Sequence, residues 1–101
     1  MTVKTKPYDA AEYLDTAADQ ADILTDALDS GDARYIAYAL GAVARARGGL
    51  SQLARETGLN RQALHTALSE EGNPTLDTVL RVLKALGLHM KIEEVPETVE
   101  A

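Results

Sequence analysis

Asn60, Arg61, Gln62, His65 and Thr66 fall within seven residues of one another, interleaved with Ala63 and Leu64. In a helix over Arg61–Leu68 capped by Asn60, this polar set shares the face opposite Leu64. The chemistry on offer is hydrogen-bonded recognition, not bond making. Arg presents paired donors that match guanine, Gln and Asn a donor and an acceptor that match adenine, and Thr a methyl group that meets thymine. A helix that reads DNA enters the major groove by its N-terminal end, so Asn60, Arg61 and Gln62 are the best-placed base readers, with His65 and Thr66 behind them. Ser51 and Gln52 open the preceding helix, and Asn73 and Thr75 the following one; these four suit phosphate oxygens.

Other chemistries find little support. His65 and His89 are the only histidines, neither has a partner at metal-ligand spacing, and there is no Cys, so neither a metal nor a cofactor is expected. His89 reads as a solvent-facing residue. No carboxylate sits in an apolar or Gly-rich setting suited to acid–base work, and no Ser/His/Asp spacing or phosphate loop stands out. The sequence is not expected to be an enzyme.

A reading helix must be held by the helix before it. Ala54 supplies the small residue where two helices cross. Gly58, four residues on, accepts the left-handed turn, Leu59 plugs the angle, and Leu64 points inward six residues after the Gly. Leu53 and Ala67 complete the shared core, so Leu50–Leu68 reads as a helix-turn-helix with Ser51 capping its first helix. An ordinary αα-hairpin is the bland alternative.

Around this unit the chain is punctuated into short helices. Asp9-x-x-Glu12 caps one turn, and Thr16-x-x-Asp19 caps a helix over about Ala17–Leu28 with Ala17, Ala21, Leu24 and Leu28 on one face. Ser30-Gly31 ends it. Asp32 caps Ala33–Arg47, where Ile36, Leu40, Val43 and Arg47 line up, and Gly48-Gly49 stops it. Thr75 caps a last helix with the stripe Leu76, Val79, Leu80, Leu83 and Leu86. After Gly87 the period changes: Leu88, Met90 and Ile92 alternate with His89, Lys91 and Glu93, which predicts a strand over Leu88–Val95. The expected fold is all-α, about five helices with a short C-terminal β-strand. It divides into an N-terminal helical segment (1–31), a helix-turn-helix domain with that strand (32–95) and an acidic tail (96–101).

The formal charge of −6 is unevenly spread. Residues 1–46 carry −4 and the tail from Ile92 another −4, whereas Arg47–Lys91 nets +2. The acidic excess therefore lies outside the reading unit, and local field decides where phosphate docks. No apolar run approaches the roughly 20 residues of a membrane span. With no signal-like N-terminus and no Cys, a cytoplasmic protein is expected.

The stretch ALGAVARARGGLSQLARETGLNRQALHTALSEEGNPTLDTVLRVLKALGL, with YDAAEYL before it, resembles the addiction-module antidote family. These are the HigA-like antitoxins, also described as prophage DNA-binding proteins. The similarity runs from Tyr8 to Ile92. It implies a Cro/repressor-like domain of about five helices that binds double-stranded operator DNA as a homodimer and represses its own operon. It also implies a partner, a small basic toxin of the RelE/ParE-like superfamily. The doubled Gly48-Gly49 departs from the family pattern, which often has one Gly and a Met or Leu.

Two features bear on partners. The Asp19/Asp22/Asp26/Asp29 face, with Tyr8, Tyr13, Tyr35 and Tyr38, suits a toxin-binding surface, although acidic faces are often simply solvated. A lone strand needs a partner edge, so Leu88, Met90 and Ile92 are expected in a two-stranded ribbon across a dimer. The reading is an antitoxin that binds operator DNA. The alternatives are a stand-alone prophage repressor and a helical protein-interaction module without DNA binding.

Overall fold

The computed structural model describes residues 10–96; Tyr8 and Asp9, and the tail beyond Pro96, lie outside the described residues. A 3-10 turn, Ala10–Tyr13, leads into five helices: α1 (Ala17–Ser30), α2 (Ala33–Ala46), α3 (Leu50–Thr57), α4 (Arg61–Ala67) and α5 (Leu76–Ala85).

Most boundaries follow from local hydrogen bonds. Thr16 Oγ1 accepts from the Asp19 N–H at 3.0 Å, and Asp32 Oδ1 from the Arg34 N–H at 2.9 Å. Asn60 Oδ1 accepts from the Ala63 N–H at 3.0 Å, and Thr75 Oγ1 from the Thr78 N–H at 3.1 Å. Each satisfies a donor that the first helical turn leaves orphaned. Ser51 does not cap α3. That helix starts one residue earlier, at Leu50, with Gly49 as its N-cap and no side-chain bond. The reason is the doubled glycine: Gly48 (φ 115°) and Gly49 (φ 90°) both adopt backbone that L-residues avoid, and the Gly49 N–H closes back on the Ala44 carbonyl at 2.8 Å.

α2 is the central element. Ala37, Ala39, Leu40, Gly41, Ala42, Val43 and Ala44 are all buried, so this helix is covered on most sides. It packs on α1, the 3-10 turn and α3, while α3 packs on α4 and α5. One core joins Leu24 and Ala27 of α1 to Leu53, Leu64, Val79, Val82 and Leu83. Gly41 lets the end of α4 come down on α2: a Cβ there would lie 2.5 Å from the Leu68 carbonyl oxygen. Gly72 likewise sits against the carbonyls of Thr66 and Ala67, closer than any side chain allows.

Three further expectations need correction. The buried face of α1 is Gln20, Leu24 and Ala27, whereas Ala17 and Leu28 are exposed. Gln20 turns inward because its amide is satisfied there: Nε2 donates to the Leu14 carbonyl (3.1 Å) and Oε1 accepts from Arg47 (3.4 Å). The buried residues of α5 are Val79, Val82 and Leu83, followed by Leu86, leaving Leu76 and Leu80 exposed. Finally, the described residues contain no strand. The Leu88 N–H closes the α5 terminus onto the Leu83 carbonyl at 2.9 Å. Beyond it Met90 and Ile92 run exposed, because the helical domain offers no sheet edge to pair with.

Candidate nucleic-acid interface

The unit α3–α4 is held from inside by Leu53 and Leu64, with Leu59 and Ala54 half-buried at the angle between the helices. Gly58 takes the left-handed conformation (φ 78°) and its N–H donates to the Ala54 carbonyl at 2.9 Å. Thr57 adds a brace unforeseen in the sequence: its hydroxyl donates to the Leu53 carbonyl (2.9 Å) and accepts from the Leu59 N–H (3.1 Å). The turn is thereby pinned on both sides.

This packing leaves Asn60, Arg61, Gln62, His65 and Thr66 all exposed, around the buried Leu64. Ala63 between them is exposed as well, and the hydrogen-bonding capacity of the five polar residues differs. Asn60 already accepts the Ala63 N–H with its carbonyl oxygen, which turns that oxygen toward the α4 backbone and leaves the amide donor as its main outward group. Gln62 is therefore the residue of the set suited to paired donor–acceptor contact with adenine. Arg61 Nε donates to Ser51 Oγ at 2.8 Å, joining the starts of α4 and α3. This bond holds the guanidinium at the surface with its two Nη groups to present. It also orients Ser51, whose hydroxyl proton is left to donate.

The proposed phosphate contacts are less uniform. Gln52 is exposed, but its side chain lies across Gly48 and its Nε2 donates to Glu56 Oε2 at 3.1 Å. Thr75 commits its hydroxyl to the α5 cap and to Thr78 Oγ1 at 3.1 Å. Asn73 is exposed in the α4–α5 loop.

Arg47 belongs to the structure rather than to this surface. Its Nη1 donates to the Leu86 carbonyl at 2.7 Å, tying the end of α2 to the end of α5. One of the positive charges that favoured this region on sequence is thus engaged within the fold. Gly41 and Arg47 matter to the site by placing α4 and α5. A Gly in the middle of a helical pattern was the signal for the first; the second had none, since its partner lies 39 residues away.

Among the described residues no His, Cys, Asp or Glu cluster suits a metal ion, and no helix is long and apolar enough to cross a membrane. The fold and site define a small helical protein with an exposed polar face on a short, braced two-helix unit. The chain belongs to the family described as probable addiction module antidote protein, whose profile matches residues 4–94. A Haemophilus influenzae protein, itself described as uncharacterized, is 40% identical over 94 residues, covering 93% of this chain and 96% of that protein. No solved structure matches.

Proposed function

We propose that this protein is the antitoxin of a type II toxin–antitoxin module, and that α3 and α4 form a Cro/repressor-type helix-turn-helix that reads operator DNA. It represses its own operon as a homodimer in the cytoplasm and neutralises a RelE/ParE-like toxin. The observation that carries the DNA-binding part is the exposed start of α4, where Arg61 and Gln62 project beside Ser51 with Leu64 buried beneath. Family membership supports the antidote part. Because the reading region carries only a small net positive charge, one copy binds weakly. Two copies, with their α4 helices about 34 Å apart, supply the affinity and require a palindromic site.

The test is a salt-dependent mobility-shift titration on the DNA upstream of the protein's own gene. Each base reader contributes about 1–3 kcal/mol, so Arg61→Ala/Gln62→Ala abolishes the specific shift and leaves only weak, salt-sensitive binding. Equal binding by the wild type and the double variant refutes the assignment of α4.

A further inference from the structure

α1 and the segment from Leu88 to Pro96 flank an open groove of about 870 Å³. Leu24 and Leu83 form its buried floor, and Leu28, Met90 and Ile92 are exposed apolar side chains along it, Ile92 being 95% exposed. Single exposed Leu residues are ordinary, whereas Leu28, Met90 and Ile92 gathered along one concave surface suit a contact site. The groove is large enough to receive several apolar side chains at once.

Charge identifies the occupant. Asp29, Glu93 and Glu94 stand at the groove, and exposed Asp19, Asp22 and Asp26 lie along the same helix, α1. From Ala10 to Ala33 the chain has seven carboxylates and no Lys or Arg. On the facing segment Lys91 and Glu93 pair with each other, Nζ to Oε2 at 3.5 Å, so the net negative charge at the groove comes from Asp29 and Glu94. A second copy of this chain is disfavoured here, since a two-fold interface sets this acidic face against itself. A partner segment with apolar side chains between Lys or Arg residues complements both features.

We propose that this groove is where the protein grips its toxin, through a basic amphipathic segment of the toxin laid between α1 and Leu88–Val95. The inference rests on the antitoxin reading above. It goes beyond it by giving the contact a surface separate in sequence from the α3–α4 unit.

The experiment is an isothermal titration of the full chain with the protein encoded beside its gene. The chains compared are the wild type, Leu28→Ser/Ile92→Ser, Asp22→Lys/Asp29→Lys and the control Arg61→Ala/Gln62→Ala. The wild type is expected to bind, more weakly as salt is raised. Each groove variant should weaken binding at least tenfold and the control should not. If Leu28→Ser/Ile92→Ser lowers the melting temperature, the exposed Asp22/Asp29 pair carries the comparison. Binding by the wild type with both groove variants unimpaired overturns this inference and leaves the antitoxin reading standing. No binding by the wild type overturns that reading and the inference with it. Light scattering that shows the groove variants turning a dimer into a monomer assigns the groove to self-association and also overturns the inference.

Discussion

Replacing Gly41 with Ala sets two effects of opposite sign against each other. Gly in a helix interior is less favourable than Ala by about 1 kcal/mol, so on local grounds the substitution stabilises α2. Its backbone is ordinary helix, and no φ strain opposes the change. The added Cβ, however, would sit 2.5 Å from the Leu68 carbonyl oxygen, where ordinary contact begins at 3.4 Å. That oxygen belongs to the backbone at the end of α4, above the buried Leu68 side chain, so relief requires moving α4 and not one flexible rotamer. Overpacking costs about 1–3 kcal/mol, and a clash with backbone falls in the upper half of that range, about 2–3 kcal/mol. The clash wins: the net loss is about 1–2 kcal/mol, a fall in melting temperature of about 4–16 °C for a domain of this size. Thermal unfolding followed by circular dichroism measures it. Thr25→Ala against Thr25→Gly, at an exposed position in α1, supplies the propensity difference within the same protein. If α4 reads operator DNA as proposed, its displacement should also lower operator affinity at temperatures where the variant is fully folded. A Gly41→Ala protein as stable as the wild type, or more stable, refutes the close approach of α2 and α4.

Other substitutions probe the supports of the same surface. Arg47→Met removes the charge-assisted bond to the Leu86 carbonyl and should lower stability by about 1.5–3 kcal/mol in urea unfolding; an unchanged midpoint would show that the bond contributes nothing. At Asn60, capping and recognition separate. Asn60→Ala loses the cap and about 0.5–2 kcal/mol, whereas Asn60→Ser keeps an acceptor for the Ala63 N–H and should hold its melting temperature. If the Ser variant also retains full operator binding, the Asn60 amide donor takes no part in recognition.

The helix ends were legible in the sequence because their causes are local. Thr16, Asp32, Asn60 and Thr75 each cap through a bond spanning two or three residues, and Gly31 and Gly58 end helices in left-handed backbone. The exposed face of α4 was equally legible, since burying Leu64 decides where its neighbours point. Rotation about a helix axis was harder to read. α1 has apolar residues on either side of Gln20, and only its bonds with the Leu14 carbonyl and the Arg47 guanidinium draw that amide inward. α5 offers Leu and Val on a wide arc, and its packing in the core selects Val79, Val82 and Leu83 over Leu76 and Leu80.

The alternation from Leu88 to Glu93 carries a strand pattern, but a strand exists only with a paired edge, and this helical domain supplies none. The same holds for the candidate interface. Its residue types were set by sequence, whereas the bonds from Arg61 to Ser51 and from Gln52 to Glu56 depend on where the folded helices bring side chains. The sequence by itself determined where most helices start and stop, the start of α3 excepted, and which side chains α4 shows to solvent, because those depend on neighbours within a turn or two. The tertiary structure alone decided which faces α1 and α5 bury, which polar groups remain for a ligand, and that an acidic apolar groove lies open beside α1, because each depends on contacts between distant parts of the chain.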